Sequence, residues 1–207
     1  MLKIWGRNNS INVQKVMWAL GELKLAHERI DIGGAFGKNK EPPYLAMNPN
    51  GLVPTLEEDD GFLLWESNAI VCYLAAKHGA GTLWPTDLHE RASSDRWMDW
   101  ISNHVSPVIT PVFWGLIRTP AEQRKPAQIA ADAEKTAQQF QVLEACLAGR
   151  SYVAGQTFTI GDIVVGVTVN RWYGLDVQRP RLANVEAYYA RLQQRPAFKR
   201  HVMLPLT

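Results

Sequence analysis

The spacing of hydrophobic residues changes repeatedly over the first part of the chain. Residues 2–5 predict a short strand, and residues 28–32 predict a second one. Apolar residues between them recur at helical spacing and predict the buried face of a helix: Val13, Val16, Met17 and Leu20. A stretch containing Gly and Lys, residues 33–43, is predicted to form a loop. The chain therefore begins with a strand, a helix, a strand and a loop.

Two further apolar runs, residues 55–57 and 62–65, flank the sequence Glu58-Asp59-Asp60-Gly61. An Asp-Gly step between such runs is a strong signal for a β-hairpin. Ser67 then begins a predicted helix with apolar residues on one side. The order β-α-β, loop, β-β-α requires one mixed sheet with helices packed on it. That is the order of a thioredoxin-like α/β domain.

Beyond this region the pattern becomes helical. The glycines and proline of the segment 79–85 indicate a linker. Apolar positions farther on repeat at steps of three and four residues and predict one long helix: Ile129, Ala133, Thr136, Phe140, Leu143 and Leu147. Thr159 and Asp162 have the spacing of a capping box that begins another helix. We predict a thioredoxin-like domain at residues 1–79, a linker at 80–88 and an all-α bundle at 89–207.

Composition narrows the functional class. With 46% hydrophobic and 20% charged residues the chain resembles ordinary folded proteins. A net charge of +2 without a basic run predicts no nucleic-acid partner. The N-terminus lacks a secretory apolar stretch, and residues 163–169 are too few to span a bilayer. We therefore expect a cytoplasmic protein with no membrane partner, which acts on small molecules.

Two cysteines, Cys72 and Cys146, lie among apolar residues in helix-like segments. Neither belongs to a Cys-x-x-Cys pair, so no metal is expected. In a reducing compartment we expect both to be free thiols and buried filler of the core.

The first candidate site is the turn between the first strand and the first helix, residues 6–12. Free N–H groups and the macrodipole at a helix N-terminus stabilise an anion such as a thiolate. The Ser10 hydroxyl or the Asn12 amide could donate a hydrogen bond to that sulfur. The plainer interpretation, that Ser10 or Asn12 only caps the helix, stays open.

Two later segments also carry candidate chemistry. Pro54 cannot donate to a β-ladder, so it belongs at the start of a strand, where a cis bond would present the backbone of Val53 to a peptide ligand. Ser67 is an ordinary helix cap, but its hydroxyl and the neighbouring N–H groups also suit a carboxylate. Glu66 could accept an ammonium group. Together Glu66 and Ser67 fit the head group of an α-amino acid.

The chain resembles a cytosolic glutathione S-transferase of the bacterial type whose first loop reads Ser-x-Asn. The resemblance rests on Ser-x-Asn-x-x-Lys-Val at residues 10–16, on Val53-Pro54-Thr55 and on Glu66-Ser67, in this order. The sequence Phe158-Thr159-Ile160-Gly161-Asp162-Ile163 resembles the capping box of the same family. It implies a structural role for Asp162. The likeness extends over nearly the whole chain and implies a homodimer that detoxifies electrophiles.

The resemblance also implies the roles of individual residues toward glutathione. Val53 would hold the cysteinyl backbone, Pro54 would be cis, and Glu66 and Ser67 would bind the γ-glutamyl group. Lys40, or less favourably Lys38 or Asn39, could meet the glycine carboxylate, although a solvated charge is an equal alternative. Asp99 resembles the acid or amide that members of the family extend across the dimer interface toward the γ-glutamyl amine.

The implied chemistry is attack by the glutathione thiolate on an apolar electrophile. The first loop has neither the tyrosine nor the cysteine of other transferase types, so Ser10 is the first choice for the sulfur, with Asn12 its rival. Asn9 and Trp114 are expected to border the second-substrate pocket. The other aromatic residues near Trp114 are expected mainly in packing: Trp97, Trp100 and Phe113. His104 is expected to be a plain helix residue.

Two other functions remain open at this point. One is a glutathione-dependent disulfide reductase or peroxidase on the same fold, because some relatives with a Thr/Ser-x-Asn loop depend on the asparagine and favour that chemistry. The other is a non-catalytic binding module, because a fold does not determine a function.

Overall fold

The computed structural model describes all 207 residues. They form two compact units. The first contains Met1–Trp84 and Ala197–Leu204, and the second contains Pro85–Pro196 and Pro205–Thr207. The domain limits expected from the sequence, 1–79, 80–88 and 89–207, stay a prediction.

The first unit contains a mixed sheet of four strands in the order β2-β1-β3-β4. The strands are β1 (Leu2–Trp5), β2 (His27–Ile30), β3 (Thr55–Glu57) and β4 (Leu63–Trp65). β1 runs parallel to β2 and antiparallel to β3, and β3 runs antiparallel to β4. This topology confirms the predicted mixed sheet.

Helices cover this sheet. They are α1 (Ile11–Glu22), α2 (Pro42–Met47), α3 (Ser67–His78) and α9 (Pro196–His201). α1 packs against α3, and their apolar faces are fully buried together with Ile4 and Leu56 of the sheet. Phe198 of α9 packs its ring edge against Trp18, with 4.7 Å between ring centroids. The core therefore lies between the sheet and α1, α3 and α9.

Two predicted boundaries differ from the structure. β2 ends at Ile30, two residues earlier than expected, because the chain turns away after the sheet and the carbonyl of Ile32 accepts a hydrogen bond from Arg7 in the first loop. The predicted loop at residues 33–43 contains a 3₁₀ turn (Gly34–Phe36) and the start of α2. Pro42 is the first residue of α2, a position that tolerates proline because that N–H has no helical acceptor.

The second unit is all helical: α4 (Leu88–Trp100), α5 (Ser106–Phe113), α6 (Pro126–Cys146), α7 (Ile160–Gly174) and α8 (Ala183–Leu192). α7 is buried almost throughout, and α4 packs against it. Gly161 allows that approach, since a Cβ there would lie 3.0 Å from the carbonyl oxygen of Ser94. The second half of the chain is thus the helical domain that the pattern predicted.

Two π-helical segments, Ile101–Val105 and Trp114–Arg118, flank α5. α5 contains prolines at its beginning and in its interior. Because proline has no backbone N–H to donate, the hydrogen-bond ladder is interrupted within α5. The α4–α5 region is consequently one irregular helical run, a feature that the hydrophobic pattern did not predict.

The predicted capping box at the start of α7 is confirmed. Asp162 is fully buried and accepts hydrogen bonds from the amides of Thr159 (2.8 Å) and Val153 (3.0 Å) and from the hydroxyl of Tyr188 (3.0 Å). These bonds join three segments of the second unit. Asp162 is therefore structural, as the resemblance implied.

The prediction for the cysteines is only half correct. Cys72 and Cys146 are free thiols, but both are half-buried and not core filler, because each lies at the edge of its helix's apolar face. None of the helices is both long and apolar enough to cross a membrane. No group of three or more His, Cys, Asp or Glu side chains has an arrangement that could hold a metal ion.

Candidate active site

Ser10 occupies the N-cap position of α1, at the end of the first loop. Its backbone is extended (φ −85°, ψ 124°), and its carbonyl accepts the first helical hydrogen bond, from the amide of Gln14 at 2.9 Å. The side chain makes no capping hydrogen bond and is 8% exposed. A plain capping role is therefore not what the Ser10 hydroxyl performs. It remains available for another partner at the positive end of α1.

Asn12 lies two residues after Ser10 and joins the first segment to the third. Its side-chain oxygen accepts a hydrogen bond from the Ser67 hydroxyl at 3.3 Å. Asn12 is itself exposed, whereas Ser67 is 6% exposed at the first position of α3. The start of α1 and the start of α3 therefore form one continuous surface.

Lys15 is a site residue that the sequence interpretation missed. It is 6% exposed, and its Nζ donates to the Ser67 hydroxyl (3.5 Å) and to the side-chain oxygen of Asn68 (3.2 Å). A buried lysine normally requires a specific reason, because removing its charge from water is unfavourable. The available signal was its place within Ser-x-Asn-x-x-Lys-Val, although the apolar residues around it suggested only a helix face.

Glu66 precedes α3 in an unusual backbone conformation. Its φ of 72° lies in the left-handed region that favours glycine. The side chain is exposed. Non-glycine residues held in this region are concentrated at binding and catalytic sites, where the surrounding structure enforces the conformation. The backbone thus marks the Glu66-Ser67 pair independently of its sequence.

The second segment lies against the first loop. The Val53–Pro54 peptide bond is cis. Gly6 explains the close contact, because a Cβ there would lie 3.3 Å from the Cβ of Val53 and 2.5 Å from a methyl group of Val13. All three segments with candidate chemistry therefore meet in the first unit.

A network of buried hydrogen bonds holds the second segment, residues 50–55, in place. The Tyr44 hydroxyl donates to the carbonyl of Leu52 (2.7 Å) and lies 2.8 Å from the Thr55 hydroxyl. The Asn48 amide donates to the same Leu52 carbonyl at 2.9 Å. Burial raises the pKa of Tyr44, so the phenol stays a neutral donor. Sequence reasoning did not identify Tyr44 or Asn48, because neither adjoins the segment in sequence.

Lys40 and Asn39 hold the turn that leads into the second segment. Lys40 Nζ donates to the carbonyl of Asn50 (3.0 Å), and the Asn39 amide donates to the carbonyl of Gly51 (2.7 Å). Lys38 is exposed, with φ 64°. Both Lys40 and Asn39 thus lie beside the backbone next to Val53, as a contact with the far end of a peptide ligand would require.

Arg7 lies over a pair of glycines. A Cβ on Gly34 would lie 2.8 Å from the Arg7 Nε, and one on Gly33 would lie 3.3 Å from its Nη1. Both glycines have positive φ. The loop after β2 can therefore pass under the guanidinium of Arg7 only because these two positions carry no side chain.

Comparison with known families explains this arrangement. Residues 9–77 match the model of the glutathione S-transferase N-terminal domain, and residues 105–196 match that of the C-terminal domain. The chain belongs to the glutathione S-transferase family. The transferase is 40% identical to glutathione S-transferase GstB of Escherichia coli K12 over 208 residues, which covers 100% of both chains. It is 32% identical to glutathione S-transferase 3 of Zea mays, covering 97% of this chain and 93% of the relative.

Solved structures agree with this membership. The theta class glutathione S-transferase of Xanthomonas axonopodis pv. citri, with glutathione bound, matches the transferase with a TM-score of 0.96 and 45% identity. That match covers 100% of this chain and 99% of the other. Glutathione transferase F7 of Populus trichocarpa matches with a TM-score of 0.87 and 28% identity, over 99% and 100% of the two chains. Both the family and the fold expected from the sequence are confirmed.

Three further candidate residues of the transferase are found at the following positions. Asn9 is half-buried in the first loop of the first unit. In the second unit Asp99 is exposed on α4, and Trp114 is 59% exposed at the start of the second π-helical segment. Their roles toward glutathione and the second substrate stay predictions.

The aromatic residues around Trp114 have the packing role expected of most of them. Trp97 and Phe113 are buried, and Trp97 packs edge-on against the half-buried Trp100, with 5.1 Å between centroids. His104 is exposed within the first π-helical segment.

Proposed function

We propose that this transferase binds glutathione across the first loop, the Val53-Pro54 segment and the Glu66-Ser67 pair, and that Ser10 activates its thiol for attack on an apolar electrophile. The observation that carries the proposal is the Ser10 hydroxyl at the N-terminus of α1, which makes no capping bond while Asn12 is engaged with Ser67. The structure of the Xanthomonas relative with glutathione bound supports the choice of ligand.

Each part of the tripeptide has a suitable partner. The γ-glutamyl carboxylate meets the Ser67 hydroxyl and the free N–H groups at the start of α3, while Glu66 accepts the ammonium group. The backbone of Val53, beside Pro54, pairs with the cysteinyl main chain in the manner of an added strand. Lys40 can leave the Asn50 carbonyl for the glycine carboxylate, since a charge-assisted bond is the stronger one.

Thiolate formation requires only modest stabilisation. A free thiol has a pKa of about 8.5, and lowering it by about two takes roughly 2.7 kcal/mol. One hydrogen bond from the Ser10 hydroxyl and the dipole of the twelve-residue helix α1 can supply an amount of this size. The thiol proton passes to solvent, and the ionised sulfur then attacks the electrophilic atom of the second substrate. A bond to sulfur forms as the bond to the leaving group breaks, and the leaving group departs with the electron pair, as chloride does from a chlorinated aromatic substrate. Binding both reactants together removes part of the entropic barrier.

A pair of variants tests the sulfur ligand. We expect Ser10→Ala to lower kcat/KM toward a chlorinated aromatic electrophile by about a hundredfold, or about 2.7 kcal/mol. We expect the pKa of bound glutathione, followed by thiolate absorbance, to rise. Asn12→Ala should mainly raise KM for glutathione, because it removes the partner of Ser67. Full turnover in Ser10→Ala combined with its loss in Asn12→Ala would reverse the two roles.

The same preparations separate transferase from reductase chemistry. Turnover is compared on the aromatic electrophile, a mixed disulfide and an organic peroxide at equal glutathione concentration. The proposal requires the electrophile to be the best of the three substrates by kcat/KM. A preference for the disulfide or the peroxide would instead identify a glutathione-dependent reductase or peroxidase.

We further propose a cytoplasmic homodimer that detoxifies electrophiles, with Asp99 of one subunit directed toward the γ-glutamyl amine in the other. β4 is an edge strand with exposed apolar residues, Leu63 and Trp65, and Phe62 before it is also exposed. An apolar edge of this kind is a typical association surface, because it is otherwise open to pairing with other chains. The two free thiols suit a reducing compartment.

A further inference from the structure

The first unit contains a second concave site, on the side of β2, α9 and the first loop. It is a pocket of about 290 Å³ whose polar lining consists of His27, Arg29, Arg200, His201 and Asn8. We call these five residues the basic pocket. None of the residues assigned above to glutathione lines it. Four of its five polar side chains are histidines or arginines, a combination that the proposed transferase reaction leaves without a function.

The basic pocket is built on well-fixed elements. Arg29 donates to the carbonyl of Gly6 at 2.9 Å and pairs through both terminal nitrogens with Asp31. His27 is held by the carbonyl of Leu25, 2.8 Å from its Nδ1. The rings of His27 and His201 lie 6.4 Å apart, so they face one small volume.

The position of His201 is also fixed. A Cβ on Gly21 of α1 would lie 3.1 Å from the His201 ring, and Phe198 of the same helix packs on Trp18. α9 therefore cannot move away from α1 without opening the core. The part of the pocket formed by His27, Arg29 and His201 is therefore preformed, whereas Arg200 and Asn8 are exposed.

The charges around the pocket do not balance. Arg29 is paired with Asp31, whereas Arg200 makes no salt bridge. Burial, together with the neighbouring Arg200 and His27, lowers the pKa of His201 to about 4. The surrounding elements carry further charged or titratable groups: Arg7 of the first loop, Lys15 and Glu22 of α1, His27, Glu28 and Arg29 of β2, Asp31 after it, and Lys199 and Arg200 of α9. The pocket thus has a positive potential that disfavours a further proton.

We propose that the basic pocket binds a small oxyanion of the phosphate class. Arg200 supplies the charge-assisted hydrogen bonds, and the His201 ring and the Asn8 amide supply further donors. His27 donates from its Nδ1 to the Leu25 carbonyl, so it can donate to the anion from Nε2 only as an imidazolium. Arg29 contributes positive charge while it remains paired with Asp31. The volume accommodates a phosphate group with part of an attached small molecule. Because Asn8 and the Gly6 carbonyl belong to the first loop, the occupied pocket would also restrain the loop that leads to Ser10.

Titration of the whole protein with inorganic phosphate tests the proposal. Binding is followed by the NMR signals of the histidine rings at constant ionic strength, with sodium chloride as the reference salt. A parallel titration with glycerol phosphate shows whether the free anion or a phosphate ester binds better. We expect saturable shifts of the His27 and His201 signals with phosphate and none with chloride at the same ionic strength.

Two variants on one helix provide the decisive comparison. Arg200→Gln should weaken phosphate binding about tenfold, which corresponds to about 1.4 kcal/mol. Lys199→Gln removes the same charge from an exposed neighbour that does not line the pocket, and it should leave the affinity within about twofold. Equal losses in both variants would indicate general electrostatic attraction and overturn the proposal. Non-saturable shifts in the wild type would do the same.

The pH dependence gives an independent readout. A bound phosphate favours the protonated form of His201, so its pKa should rise when phosphate binds, and affinity should increase as pH falls from about 7 toward 5. If the His201 titration is the same with and without phosphate, the anion does not reach the pocket. The test uses no measurement of turnover, so its outcome is independent of the proposed transferase reaction.

Discussion

At the scale of single residues, Lys15 is the most informative addition to the predicted site. Its ammonium group lies beside Ser67, where the γ-glutamyl carboxylate is proposed to bind. We expect Lys15→Met, which keeps the length of the side chain, to raise KM for glutathione about tenfold, the equivalent of about 1.4 kcal/mol. Steady-state kinetics at saturating electrophile measures this, together with a melting curve that verifies the fold.

Lys24→Gln is the matched control for Lys15. Lys24 lies just after Leu23, the C-cap of α1, and is exposed. Removal of its charge should change KM by less than about twofold, because an exposed charge is screened by solvent. An unchanged KM in Lys15→Met would show that this lysine serves folding and not the ligand.

Candidate residues could be identified from the sequence where one short segment carries the whole signal. Ser10, Val53-Pro54 and Glu66-Ser67 were identified because a turn or cap has its own local chemistry. Lys15 and Tyr44 were not, because their significance depends on partners that only folding brings near. The left-handed conformation of Glu66 was equally hidden, since nothing in a Trp-Glu-Ser sequence predicts it.

At the scale of elements, the turn before Val53 determines the shape of the proposed binding segment. Gly51 has φ 59°, and a Cβ there would lie 2.7 Å from the carbonyl oxygen of Asn39. Gly51→Ala therefore combines backbone strain with a clash against backbone. We expect a loss of about 2 kcal/mol in the free energy of unfolding and a several-fold increase in KM for glutathione.

Gly149→Ala separates backbone strain from the steric clash, because Gly149 has φ 71° but open space around its Cβ position. We expect this variant to lose about 1 kcal/mol through strain alone, with KM unchanged. Urea unfolding and glutathione kinetics on both variants test the pair. Equal KM values would mean that the turn at Gly51 does not position Val53.

The capping box at the start of α7 affects the stability of the second unit through Asp162. Burial raises the pKa of Asp162 to about 6, despite the hydrogen bonds that favour its charged form. The unfolded chain releases this proton near pH 4. Because the folded protein binds the proton more tightly, the contribution of Asp162 to the free energy of unfolding falls as pH rises from about 4 to about 6.

Comparison with Asp162→Asn tests that contribution. The variant does not titrate, and it offers fewer acceptors for the amides of Thr159 and Val153, so it should be less stable at every pH. Its deficit relative to wild type should shrink by up to about 3 kcal/mol between pH 4 and pH 7. Asp176→Asn, an exposed acid, should show neither effect. A deficit that is constant with pH would contradict the raised pKa.

Element order was predictable because alternation between strand and helix periods needs no tertiary information. The π-helical segments were not, since their apolar pattern does not differ from that of an ordinary α-helix. Likewise, no local signal shows that Ala197–Leu204 packs with the first unit. That packing depends on Phe198 meeting Trp18, two residues that lie at opposite ends of the sequence.

At the scale of the whole molecule, we predict that the proposed homodimer associates through β4. Leu63 is exposed on the edge strand β4, opposite Glu57 of β3. Leu63→Lys places a charge on the apolar edge, and the lysine can pair with Glu57, so the fold should be retained while association is lost. Sedimentation velocity should give twice the mass of one chain for wild type and for Met203→Lys, a control at another exposed apolar residue. A dimeric Leu63→Lys would exclude β4 as the association surface. A monomeric wild type would exclude the homodimer itself and leave Asp99 without its proposed partner.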